Sequence, residues 1–419
     1  MHYYQNNEAS NKLAPVTHGP AAGNRLASGI AGTCLMACLG GFGTDAAQAQ
    51  SSVTLYGLID ASITYANNQR THGAGSSGSS SWSMTNGALN ASRWGLKGSE
   101  DLGGGWSAIF TLENGFSVPT GGLSQKGVDM FGRQAWVGLK SKEDGSLTFG
   151  RQYDLILDFV TPLEPSGPGW GGNLAVHPYD NDDSNRNIRI NNSVKYTSPT
   201  YRGLTFGAMY AFSNTAGQFG NNAAWSAGLS YATGPLKLGA GYLKINRNAN
   251  LANANGAVST TDGSATITGG GEQIWAIAGR YAFGPHSVGL AWSHSATDGV
   301  TGVLQGSSIT SLKGNSLIFD NFTIDGHYAV TRALSLSAAY TYTMARFDSK
   351  TGQTRPKWNQ VVAQADYAFS KRTDAYLEGV YESVSGGNGN PAFDASVWTL
   401  PPSANSNQIV VALGLRHRF

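Results

Sequence analysis

The chain has little of what holds a soluble globule together. Of its 419 residues only 13% are charged, and its two cysteines, Cys34 and Cys38, both fall within the first fifty residues. Without that segment the chain has no thiol, so disulfides are excluded and stability must come from backbone pairing. Beyond it, no run approaches the ~20 consecutive apolar residues of a spanning helix. A formal net charge of +2 argues against nucleic acid as a partner. The histidines past the first fifty residues, His72, His177, His286, His294, His327 and His417, show no metal-ligand spacing, and no Gly-x-Ser-x-Gly elbow is present. We therefore expect no cofactor, no metal and no enzyme, since catalysis needs a nucleophile with a positioned base.

What the chain does have is alternation. Val53, Leu55, Ile59, Ile63 and Tyr65 fall on one side of an extended strand, and Thr54, Asp60, Ser62 and Thr64 on the other. Leu334, Leu336, Ala338, Tyr340, Tyr342 and Met344 oppose Ser335, Ser337, Thr341 and Thr343 in the same way. The chain ends in mid-pattern: Ile409, Val411, Leu413, Leu415 and Phe419 share one face, with Arg416 and Arg418 on the other. Such a strand needs two solvents, lipid outside and water inside. A soluble sandwich would not repeat the pattern through the whole chain with so few charges. The 18 tyrosines and 10 tryptophans suit a half-wet membrane interface.

The first residues read as an export signal. Arg25 precedes a moderately apolar run from Leu26 to Phe42, and Ala47-Gln48-Ala49 offers the small-x-small pattern of a cleavage site. We expect a signal peptide over 1–49, cleaved after Ala49, and a single barrel domain over 50–419.

Strands are expected to begin near Val53, Ser92, Trp106, Arg133, Ser146, Ile188, Leu204, Trp225, Leu236, Gln273, Ser287, Leu317, Leu334, Asn359, Ala375 and Gln408. That makes about sixteen, an even number that can close with no edge facing lipid. Tight connections such as Thr233-Gly234-Pro235 alternate with long polar ones such as Asn67 to Asn90 and Asn246 to Gly271. The expected fold is all-β, a transmembrane antiparallel 16-stranded β-barrel with an aqueous interior.

Leu55-Tyr56-Gly57, Ser92-Arg93-Trp94-Gly95-Leu96-Lys97-Gly98, Phe149-Gly150-Arg151-Gln152-Tyr153, Asn192-Ser193-Val194-Lys195-Tyr196 with Ser198-Pro199, and terminal Phe419 together resemble the general diffusion porins of Gram-negative outer membranes, closest to the betaproteobacterial branch. The resemblance runs from Ser51 to Phe419. It implies a homotrimer in the outer membrane, in contact with its lipid and lipopolysaccharide, and a terminal Phe419 that the outer-membrane assembly machinery reads as a signal. It also implies that the long segment after the fifth strand, about 154–187, folds inward as a constriction loop; long irregular connections are usually functional or disordered.

Asp154, Asp158 and Glu164 would then supply a negative edge, with Asp180, Asp182 and Asp183 as further acids. Strand parity turns Arg93, Arg133, Arg189 and Lys195 toward water as the opposing basic side. Arg151 matches a family arginine, but its parity with Leu147 and Phe149 points outward, to a subunit contact or the loop root. Leu58 stands where the enterobacterial pattern has a lysine. The implied function is passive diffusion of small hydrophilic solutes and ions across a transverse field. Alternatives are a substrate-specific outer-membrane channel and a barrel enzyme.

Overall fold

The computed structural model describes residues 51–71, 77–125, 130–167, 170–185, 187–248, 253–259, 262–398 and 400–419, all within one compact unit. The segment expected to be an export signal, both cysteines, His72 and Pro168 lie outside the described residues.

One antiparallel sheet holds eighteen strands, of which Gly78–Thr85 and Gly352–Thr354 are short extensions of their neighbours. The other sixteen form the wall. They are β1 (Ser52–Arg70), β2 (Arg93–Gly103), β3 (Trp106–Gly115), β4 (Gln134–Ser141), β5 (Gly145–Gln152), β6 (Ile190–Thr197), β7 (Leu204–Ala211) and β8 (Ala223–Thr233). The second half is β9 (Leu236–Asn246), β10 (Glu272–Phe283), β11 (His286–Asp298), β12 (Ser316–Ala329), β13 (Leu334–Ser349), β14 (Lys357–Ala368), β15 (Thr373–Ser385) and β16 (Asn407–Arg418). Each pairs with the next, and β16 returns to β1 in register from Leu58 opposite Arg418 to Ala66 opposite Val410. The wall is closed, so no backbone edge is left for lipid to meet.

Burial runs opposite to that of a soluble protein. Leu290 is 62% exposed and Leu413 58%, whereas Asp60, Asn321 and Thr343 are fully enclosed. Apolar groups outside and polar groups inside place lipid around the wall.

Two features depart from the simple alternation. Gly78–Thr85, expected as loop, is a strand pairing with the upper half of β1, Tyr65 opposite Trp82. The interior is also partly apolar: Leu89, Trp170 and Leu174 pack on inward-facing Val362, Val380 and Val410. A second cluster joins Tyr179, Phe319, Trp358 and Phe393. Chain folded into the barrel needs an apolar seat, and these positions supply it.

Candidate functional site

The segment after β5 lies inside the barrel. Asp154 caps the short helix α1 (Leu155–Phe159), accepting from the Ile156 amide at 2.6 Å, and the Leu155 amide donates to Ser226 Oγ at 3.1 Å. Leu155, Ile156, Leu157 and Phe159 are buried. What admits α1 is a notch in the wall: Gly207, Gly228 and Gly241 lie opposite one another across β7, β8 and β9. A Cβ on Gly241 would sit 3.0 Å from Ile156 Cα, and one on neighbouring Gly239 only 2.1 Å from the Phe159 carbonyl oxygen.

Beyond α1 the loop is fastened at three further places. Arg280 of β10 donates to the Leu163 carbonyl at 2.8 Å. The Gly171 amide donates to Gln364 Oε1 of β14 at 2.7 Å, and Asn173 Nδ2 to the Gly87 carbonyl at 2.7 Å. The last is a buried polar cluster. His177 meets Asp182 Oδ2 at 2.7 Å through Nδ1 and Thr323 Oγ1 of β12 at 2.9 Å through Nε2, and Asn181 Oδ1 accepts from Ser295 of β11 and Asn321 of β12.

Charge in this cluster is set by enclosure. Burial, reinforced by Asp182, pushes the Glu164 carboxyl up to about 8. Burial opposes the His177 imidazolium, but Asp182, Glu164 and Asp180 outweigh it and raise the ring to about 9. Burial and Asp182 likewise bring Asp180 to about 7. Asp154 and Asp183 are both raised by burial, and the charge of Asp154 pushes Asp183 further the same way.

Arg93 opens β2, Arg133 immediately precedes β4 and Arg189 immediately precedes β6; the three line one cavity of roughly 480 Å³. Asn173, Leu174, Asn185 and Asn187 of the inner loop line it too. Arg133 Nε donates to Glu113 Oε1 at 2.7 Å, Arg93 Nε lies 3.9 Å from Glu113 Oε2, and the Tyr56 hydroxyl donates to that same oxygen at 3.0 Å. Arg189 donates to the Asn187 carbonyl at 2.7 Å, and its buried Nε has no partner among the described residues.

The acids and Lys195 sit elsewhere. Asp154, Asp158 and Glu164 are not part of that cavity's lining: Asp154 and Glu164 are buried where the loop meets the wall. Lys195 Nζ donates to Asp158 Oδ2 at 2.7 Å and to the Tyr153 carbonyl at 2.9 Å, fastening the loop's root. The physical reason is local: α1 needs an N-cap acceptor, and Asp158 on its first turn reaches the nearest inward lysine. A bulge between Gly150 and Gln152 breaks the parity around Arg151, which donates to the Gly132 carbonyl at 2.8 Å and to Asp262 at 2.7 Å.

Glu113 and Asp262 escaped the sequence reading. Glu113 shares inward parity with Thr111 on β3 and was legible from it; Asp262 belongs to a long loop whose course no pattern gives. Among the described residues no group of three or more His, Cys, Asp or Glu is placed to hold a metal ion.

The sequence matches the Gram-negative porin family over residues 31–387. An outer membrane porin protein of Bordetella pertussis is 33% identical over 412 residues, spanning 91% of this chain and 98% of that protein. An anion-selective porin from Comamonas acidovorans covers 88% of this chain and 100% of its own at TM-score 0.64 and 21% identity. The trimer form of OmpT, an outer membrane protein of Vibrio cholerae, covers 88% and 99% at TM-score 0.58 and 17% identity; at such identities the likeness is one of fold. The family match and the Bordetella relative, each spanning most of the sequence, agree with the barrel: the chain belongs to the Gram-negative porins, β-barrel channel proteins of the outer membrane.

Proposed function

We propose that the chain forms a passive channel for small hydrophilic solutes and ions whose waist favours anions. One observation carries this reading: Arg93, Arg133 and Arg189 line a single cavity beside the inner loop. Among the residues that line it, these three guanidinium groups face one carboxylate, Asp262, which Arg151 already pairs, while Glu113 lies beside Arg93 and Arg133. A narrow low-dielectric passage amplifies that imbalance, lowering the barrier for an anion and raising it for a cation. The Comamonas protein, named as anion-selective, supports the same sign.

In this reading Asp154, Asp158 and Glu164 act through the loop's seating, and the solute meets guanidinium groups facing amides. The zero-current potential of the purified protein in a planar bilayer under a KCl gradient tests it. A potential of the cation-selective sign would sink it.

Assembly as a homotrimer belongs to the proposal, supported by the trimer form of the Vibrio protein, and unheated gel electrophoresis tests it. Export with cleavage after Ala49 predicts a mature chain starting at Gln50, readable by mass spectrometry. A substrate-specific channel is the second reading; saturating block by one solute would establish it.

A further inference from the structure

The cavity that holds the three arginines has a second component, and small inorganic ions have no use for it. Its lining also includes Leu304, Trp398 and Leu400, brought in by the connections that follow β11 and β15. The arginines belong to the arc of wall from β2 to β6. Leu400, in contrast, joins the buried apolar cluster seated on Val362, Val380 and Val410, on the arc from β14 to β16.

These apolar groups are built in. Gly302–Gln305 and Ser308–Ser311 form a hairpin with Leu304 opposite Ile309, and the Leu304 amide donates to the Thr266 carbonyl at 2.7 Å. The Leu400 amide donates to the Val397 carbonyl at 3.1 Å, and the Val397 amide to Gln408 Oε1 of β16 at 2.8 Å. Gln305 Nε2 donates to the Ala392 carbonyl at 3.2 Å, so the two connections brace each other. Trp398, next to the fully enclosed Val397, is left half-buried at the cavity.

The charged side has capacity to spare. Arg189 makes one hydrogen bond with the described residues, to the Asn187 carbonyl, and its Nε makes none. Asp262, the carboxylate in the lining, is held by Arg151 at 2.7 Å. A buried guanidinium with N–H groups to spare favours a ligand carboxylate, and a fixed apolar wall beside it favours a ligand with apolar surface to cover that wall.

We propose that the waist binds organic anions carrying a flat apolar ring, aryl carboxylates as a class, as they pass. The carboxylate accepts from Arg189, and the ring lies against Trp398, Leu304 and Leu400. The inference rests on the anion-favouring reading of the waist and adds the chemistry of the anion's body. The cavity of roughly 480 Å³ lies within the ~300–1,000 Å³ usual for small-molecule sites. A hydroxylated anion of equal charge gains nothing from the apolar wall, and a neutral ring gains nothing from Arg189.

The test is planar-bilayer recording of chloride current through the purified full-length protein, with benzoate, quinate or benzyl alcohol in both chambers. Quinate puts the same charge on a bulkier, hydroxylated ring, and benzyl alcohol has the ring without the charge. Benzoate is expected to halve the current at a concentration about tenfold below either. Phenylacetate is expected to match benzoate, which distinguishes preference for a class from a channel specific to one solute. Trp398→Ala is expected to raise the half-blocking concentration of benzoate roughly threefold, and Trp398→Phe to restore it. Trp82→Ala, on the outer surface, is expected to leave it unchanged. Quinate blocking as strongly as benzoate overturns the proposal, because size and charge alone would then account for block. Equal block by benzyl alcohol, or an unchanged benzoate block in Trp398→Ala, overturns it as well. The zero-current potential under a KCl gradient, read on the same preparation, separates the two levels. A cation-selective sign removes the anion reading and this inference with it, whereas an anion-selective sign without preference for benzoate removes this inference alone.

Discussion

Arg133 and Glu113 form an enclosed ion pair, Nε to Oε1 at 2.7 Å, with side chains only 3% and 6% exposed. Removing one partner of such a pair costs about 3–5 kcal/mol, because the remaining charge stays out of water. Glu113→Gln is therefore expected to lower the thermal unfolding midpoint and to strengthen anion preference, since Arg93 loses the same neighbour. Thermal scans and zero-current potentials on one preparation check both; an unchanged midpoint would place water at the pair.

Arg189 differs, having no carboxylate within ion-pair distance among the described residues. Arg189→Gln is expected to weaken anion preference with little loss of stability. A change of roughly 0.4 kcal/mol in the potential felt by a passing ion, modest for one charge at an effective dielectric near 20, corresponds to about twofold in the permeability ratio. The zero-current potential reads it directly.

Gly239→Val tests the seat of α1. The added Cβ lies 2.1 Å from the Phe159 carbonyl oxygen, so the loop must lift, at about 1–3 kcal/mol. The strand itself gains from valine. The expected result is a folded barrel with a noisier single-channel current, while Gly379→Ala, whose Cβ would meet nothing within 4 Å, leaves the current unchanged.

The loop's fastening should loosen as pH rises. Glu164, His177 and Asp180 all titrate higher in the fold than in an unfolded chain, near 8, 9 and 7. Groups shifted upward contribute fully below their unfolded values and lose that contribution as pH climbs through the folded ones. The facing charges are Asp182 on the loop, Asp325 on the wall, itself paired with Arg280, and Arg189 just before β6. Stability is therefore expected to fall between about pH 5 and 9, and Glu164→Gln to flatten the lower part of that fall. A Tm profile across this window decides; a rise with pH would refute the assignment.

Phe419 is joined to β1 by two backbone hydrogen bonds, amide to the Gly57 carbonyl at 3.0 Å and carbonyl from the Gly57 amide at 3.1 Å. If the terminal ring is an assembly signal, Phe419→Ser should lower the amount of protein in the outer membrane while refolding in detergent stays efficient. A parallel loss in both would make the ring a structural residue.

The wall was legible because a strand between two solvents writes its orientation into every second residue, as Ile409 to Leu415 do. Gly78–Thr85 escaped because its inward positions are Ser79, Ser81, Ser83 and Thr85 beside a glycine, as in a loop. Arg151 misled because the bulge beside Gly150, at φ 137°, ends the parity one residue before it. The three arginines could be matched by parity because each stands at the start of a strand or immediately before one. The loop acids could not be, since irregular backbone has no period and tertiary contacts alone decide which face a carboxylate takes.

The notch formed by Gly207, Gly228 and Gly241 also acts as a mechanical stop. Sliding α1 along the wall by one strand row, about 7 Å, would drive it onto Ser226 or Ser230 on β8 or Met209 on β7, where side chains resume. The root of the loop is thereby held at one depth, and in the channel proposed above the section that would carry most of the electrical resistance is held with it. In that channel, three missing side chains would determine where along the barrel an applied voltage falls.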